Sequence, residues 1–97
     1  MGADRPAGTV PRGRILIVDD EANARAALSE ILRDEGYATE TAADGFKALG
    51  KLEDFAPDVV LTDLKMPGLD GIAFMEKAKS ASPQTVFVVM TAFGTIT

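Results

Sequence analysis

The stretch Val59-Val60-Leu61-Thr62-Asp63-Leu64-Lys65-Met66-Pro67-Gly68-Leu69-Asp70-Gly71 is an apolar run that ends in a carboxylate and then a turn. The same design occurs earlier, where Ile15-Leu16-Ile17-Val18 runs into Asp19-Asp20. A third apolar run, Val86-Phe87-Val88-Val89-Met90, delivers a hydroxyl, Thr91, in the corresponding place. Short runs that are apolar at every position are the pattern of parallel strands covered on both faces. In open α/β sheets, ligands bind in the crevice outside the carboxyl ends of the strands. Three acids and one hydroxyl at three such ends describe a site.

The segments between these runs carry helical periodicity. Ala24, Ala27, Leu28, Ile31 and Leu32 recur at the spacing of one apolar stripe, and Gly36 stands where a glycine stops a helix. Tyr37 to Ala42 contains Thr39, Glu40 and Thr41, which makes it polar enough for a half-exposed edge strand. Asp44 can cap a second helix that turns Ala48, Leu49, Leu52 and Phe55 toward the core, and Pro57 forces a break before Val59. Asp70 can cap a third helix with Ile72, Met75 and Ala78 inward, and Pro83 precedes the last apolar run. Strands alternating with helices of this length predict an α/β fold with a parallel sheet and right-handed crossovers. Residues 1 to 13 hold three Gly and two Pro without periodicity and read as a flexible tail; the domain occupies 14 to 97.

Ninety-seven residues allow one domain with a single core, and a 46% apolar share with 26% charged residues is ordinary for a globular protein. There is no Cys and no His, which excludes thiol chemistry, disulfides, zinc held by those ligands and an imidazole base. Any metal must be held by oxygen, which favours Mg²⁺, Ca²⁺ or Mn²⁺. The net charge of −5 argues against nucleic acid or anionic membrane as a partner of this segment. No window approaches the ~18 apolar residues of a membrane span. Met1-Gly2-Ala3-Asp4-Arg5-Pro6 lacks a signal peptide's apolar core, so the expected compartment is the cytoplasm.

Three carboxylates converging on one crevice repel each other unless they share a cation. Mg²⁺ commonly takes one or two carboxylates, keeps several waters and completes its shell from phosphate. An Asp beside it can attack phosphorus and hold the phosphoryl group as an acyl phosphate, while Thr91 could donate a hydrogen bond to a phosphoryl oxygen.

Ile15-Leu16-Ile17-Val18-Asp19-Asp20-Glu21, then Asp63-Leu64-Lys65-Met66-Pro67-Gly68-Leu69-Asp70-Gly71, then Val88-Val89-Met90-Thr91-Ala92 resemble, in order and spacing, the receiver domain of bacterial two-component response regulators. The resemblance covers residues 14 to 97. It implies a flavodoxin-like, doubly wound parallel sheet of order 2-1-3-4-5. It also implies that Asp63 is the phosphoacceptor for a sensor histidine kinase, that Asp19, Asp20 and Asp63 hold Mg²⁺ with the backbone carbonyl of Lys65, and that Thr91 is the switch hydroxyl. Thr91-Ala92-Phe93-Gly94-Thr95-Ile96 is further similar to the receivers of NtrC-like, sigma-54-dependent activators, which implies an output in transcription regulation. The family continues with a fourth helix, a fifth strand ending in Lys-Pro and a final helix. This sequence stops in the connection to, or first turn of, the fourth helix, so the phosphate-contacting lysine and the aromatic switch residue are expected to be missing. The fourth strand is then expected to offer an uncovered edge for self-association or for another protein.

Two other readings stand beside this one. A Mg²⁺-dependent phosphatase or phosphotransferase of the haloacid-dehalogenase type needs two Asp two residues apart, whereas Asp19 and Asp20 are adjacent and diverge as strand neighbours do. A receiver-like fragment that only pairs with other proteins is the third. A bland origin for single acids is also available: Asp70 reads best as a helix cap, and Tyr37 and Phe46 as packing residues. Gly45-Phe46-Lys47-Ala48-Leu49-Gly50-Lys51 matches seven positions of a P-loop, but Leu52 stands where Ser or Thr is required and the apolar spacing is helical, so the P-loop is rejected.

Overall fold

Four apolar or β-branched segments form strands, and the computed structural model describes them within residues 12 to 63 and 71 to 90. The elements are β1 (Arg14–Val18), α1 (Ala22–Asp34), β2 (Ala38–Ala42), α2 (Gly45–Phe55), β3 (Val59–Asp63), α3 (Gly71–Ala81) and β4 (Val86–Met90). All strand pairs are parallel and the sheet order is β2-β1-β3-β4. This is the doubly wound arrangement expected from the resemblance, over the four strands described. The step from β1 to β2 runs one way across the sheet, and the later steps run the other way. Right-handed crossovers therefore put α1 on one face and α2 with α3 on the opposite face.

The second face carries the core. Leu16, Val18, Ala42, Ala48, Leu52, Val60, Phe74 and Ala78 form one buried cluster, with Leu49, Phe55, Ala73 and Phe87 packed against it. Phe74 meets Phe87 edge-on with ring centroids 6.1 Å apart, a favoured aromatic geometry. Ile15 and Ile17, of opposite parity along β1, are also buried but face the α1 side. Val86 and Val88 share that parity across the register and remain 58% and 43% exposed. Among the described residues, β4 pairs on one side only.

Two helices bury the residues their spacing predicts only in part. On α1 the stripe is poorly covered: Ile31 is 58% exposed, and Ser29 is the buried residue, its hydroxyl 2.7 Å from that of Thr39 on β2. α1 lies over β2 and β1, so part of its inward side meets a polar strand, while Ala24, Leu28 and Leu32 of the stripe are half-buried. On α3 Ala78 is buried as its spacing predicts and Met75 is half-buried, while Phe74 takes the core place expected of Ile72, which is exposed. Phe46, expected to pack, lies exposed in the first turn of α2.

Local chemistry sets the element ends as the residue types dictate. Asp44 accepts the Lys47 N–H at 2.8 Å and caps α2. Gly36 ends α1 with φ 101°. Ala56 closes α2 in the left-handed region at φ 51°, a conformation that a Cβ makes costly. Below the sheet, Thr85 donates to the Pro57 carbonyl and shares a hydrogen bond with Ser82, tying the entry of β4 to that of β3. The expected N-terminal tail falls mostly on residues 1 to 11, outside the described residues. Arg12 and Gly13 are hydrogen-bonded to the backbone of Gly36 and Ala38 respectively. The cap expected at Asp70 and the turn at Met66-Pro67-Gly68 also lie outside the described residues.

Candidate functional site

β1 and β3 are the two central strands, and both end in acid. Asp19, Asp20 and Asp63 each offer one carboxylate oxygen such that all three oxygens lie within 4.8 Å of one another. Adjacent residues on an extended strand point to opposite faces. Here β1 ends at Val18 and the chain bends at Asp20, so both neighbours turn toward Asp63. Asp63 is half-buried at the last position of β3, paired in register with Met90 of β4. The buried Thr62 hydroxyl beside it donates to the Asp63 carbonyl at 3.1 Å.

Asp19 is anchored on three sides. Its N–H donates to the Ala42 carbonyl at 3.1 Å, which ties it to the end of β2. Its carboxylate accepts the Glu21 N–H at 2.9 Å, and its carbonyl accepts from the Arg25 guanidinium at 2.7 Å. Glu21 in turn caps α1 by accepting the Ala24 N–H. Burial raises the Asp19 carboxyl above the usual carboxylate range, and the charges of Asp63 and Asp20 push the same way; the hydrogen bond from Glu21 opposes them. Asp20 is the exposed member of the cluster.

A set of three oxygen donors at this spacing, with Asp19 resisting ionisation through burial first and its acidic neighbours second, fits a small hard cation. Softer metals, which prefer imidazole or thiolate, find neither in a chain without His or Cys. Thr91 and Lys65, the two other site residues expected from the sequence, lie outside the described residues. Arg25 and the Ala42 carbonyl escaped the sequence reading. Their contacts are to the backbone, and only the positions of Arg25 six residues after Asp19, and of Ala42 at a strand end, hinted at them.

Residues 15–97 match the response regulator receiver domain family. The chain is 42% identical over 81 residues to sporulation initiation phosphotransferase F of Bacillus subtilis, covering 84% of this chain and 65% of that protein. It is 36% identical over 81 residues to the DNA-binding transcriptional regulator NtrC of Salmonella typhimurium, covering 84% of this chain and 17% of the regulator. Among solved structures, the response regulator TrrA of Thermotoga maritima in complex with Mg(2+)-BeF superposes with a TM-score of 0.77 at 38% identity, over 81% of this chain and 69% of that one. The chain thus spans about two thirds of the first of these proteins and under a fifth of the regulator. With its parallel sheet, the acid cluster at the ends of β1 and β3, and a family match over nearly all of its length, the chain belongs to the response regulator receiver domains of two-component systems, of the kind found in NtrC-like activators.

Proposed function

We propose that this chain is the phosphoacceptor module of a two-component pathway, taking a phosphoryl group onto Asp63 from a sensor histidine kinase. The observation that carries the reading is the convergence of Asp19, Asp20 and Asp63 within 4.8 Å at the ends of two adjacent strands. In the transfer, an Asp63 carboxylate oxygen forms a bond to phosphorus as the bond from phosphorus to the donor's nitrogen breaks, and the departing imidazole takes a proton. Asp19 and Asp20 would hold Mg²⁺, which would supply neutralisation of charge on the transferring group. By family resemblance the Lys65 carbonyl completes the metal's protein ligands and Thr91 donates to a phosphoryl oxygen afterwards. The Mg(2+)-BeF complex of TrrA supports this assignment by analogy.

The module switches an output rather than turning over an external substrate, and the similarity to NtrC favours transcription regulation as that output. We read residues 14 to 97 as receiver, residues 1 to 13 as a tail, and the cytoplasm as its compartment. The net charge of −5 supports a protein partner over nucleic acid or membrane for this segment. Among the described residues no helix is long and apolar enough to cross a membrane. The exposed valines of β4 support self-association through that strand. Membership of the receiver family over residues 15–97 stands against the haloacid-dehalogenase alternative.

The test is incubation of the chain with MgCl₂ and acetyl phosphate, followed by intact mass and peptide mapping. A phosphoryl adduct on Asp63, lost in Asp63→Asn, is expected. An adduct on another residue, or none in a folded, Mg²⁺-saturated sample, refutes the phosphoacceptor assignment.

A further inference from the structure

Asp19 and Asp20 are consecutive, yet the cluster needs both of them on one side. What decides their relative direction is the peptide unit that joins them, and its oxygen is the Asp19 carbonyl. That oxygen receives the Arg25 guanidinium at 2.7 Å, a short, charge-assisted hydrogen bond. Arg25 lies one turn into α1, whose start is fixed by the Glu21 cap, and its own N–H donates to the Glu21 carbonyl at 3.1 Å. The guanidinium is therefore a strut between a capped helix and the bend that follows β1. The other two anchors of Asp19, to Ala42 and Glu21, hold its amide and its carboxylate. The Glu21 bond closes a turn across the Asp19–Asp20 peptide, and the Arg25 guanidinium holds the carbonyl of that peptide directly from the helix.

We propose that Arg25 is a positioning residue of the acid cluster, locking the Asp19–Asp20 peptide so that both carboxylates face Asp63. The inference rests on the reading of the cluster as a cation site, and one feature separates it from a plain electrostatic role. A positive charge near a cation site weakens cation binding, so its removal would tighten Mg²⁺ if charge were all that Arg25 contributed. A strut acts with the opposite sign, because its loss lets the two carboxylates drift apart. Partners that orient metal ligands typically contribute about 10–100-fold to affinity. The lower end applies here because the contact is to backbone.

The experiment compares the wild-type chain with Arg25→Met, which keeps reach and helix preference but no donor, and Arg25→Lys, which keeps the charge and a donor. Mg²⁺ affinity is measured by calorimetry, and backbone amides are followed by ¹⁵N NMR in the metal-free chain. Arg25→Met should weaken Mg²⁺ about tenfold. It should also shift the Asp20 and Glu21 amide signals and speed their exchange, with Arg25→Lys restoring part of both. A folded Arg25→Met chain with unchanged or tighter Mg²⁺ binding and unchanged amide signals overturns the proposal. If the wild-type chain itself takes up no Mg²⁺, the cation-site reading fails, and the metal-free amide comparison alone decides whether Arg25 positions the bend.

Discussion

Asp19→Asn should make the metal-free chain more stable and the chain blind to Mg²⁺. The substitution removes one charge from a cluster whose oxygens lie within 4.8 Å of each other, and it keeps an oxygen able to accept the Glu21 N–H. Two like charges at that separation cost about 1 kcal/mol in a water-like dielectric and about 3.5 kcal/mol at an effective dielectric of 20. Because Asp20 is exposed and Asp19 only partly buried, solvent screening favours the lower figure for each pair. Two pairs are relieved, so the gain is about 1–2 kcal/mol, or roughly 5–10 °C in melting temperature for a domain of this size. The sign with pH follows from the raised Asp19 carboxyl. The folded chain takes up that proton at a higher pH than the unfolded chain does. Metal-free wild type therefore gains stability as pH falls from neutrality through the Asp19 titration, until other carboxylates begin to protonate. Asp19→Asn should lack that acid-side gain. The assay is thermal unfolding followed by circular dichroism, in EDTA and in MgCl₂, from pH 7 downward. In wild type, Mg²⁺ at a hundredfold over its dissociation constant should add about 2.7 kcal/mol. A variant that melts below wild type in EDTA, or that Mg²⁺ stabilises as much as wild type, would refute the account of the cluster as repelling acids awaiting a cation.

Three further outcomes are expected. Phe74→Ala, which empties the centre of the α2–α3 face, should cost about 3–5 kcal/mol, a large share of the whole stability of a small domain, read by urea denaturation. Ala56→Gly should raise stability by about 1 kcal/mol, because the left-handed conformation at φ 51° no longer strains a Cβ; an unchanged urea midpoint would count against that strain. The chain should associate with itself at high micromolar concentration in sedimentation velocity, and Val88→Lys on the exposed side of β4 should suppress this; a monomeric wild type would contradict the reading of β4 as an adhesive edge.

The strands and the acids at their ends were legible because uninterrupted apolar runs such as Ile15 to Val18 admit few other environments. β3 and β4 begin and end where the sequence reading puts them. Helix faces were harder. Spacing identifies a stripe but not how far a helix is rotated over its sheet, and Ile72 and Ile31 took exposed places that Phe74 and Ser29 filled from within. Phe46 misled for a related reason, since aromatic character reports a preference for burial and says nothing about which turn of the helix clears the core. The convergence of Asp19 with Asp20 depends on a bend and on backbone hydrogen bonds to Arg25 and Ala42, and such contacts leave little trace in residue type.

The acids stand at the ends of β1 and β3, which have a paired neighbour on either side, while β2 and β4 form the borders of the described sheet. Fraying begins at borders, where half of the ladder is missing. Melting β4 alone would leave the three carboxylates facing one another, whereas melting β2 would also release the Asp19 N–H from the Ala42 carbonyl. Separating β1 from β3, which breaks the centre of the sheet and the Leu16–Val60 core with it, parts Asp63 from the two acids after β1. Cation binding should therefore stabilise the folded chain chiefly against openings that separate β1 from β3. Amide exchange in β1 and β3 should slow with each increment of Mg²⁺, while exchange at the borders stays as it was.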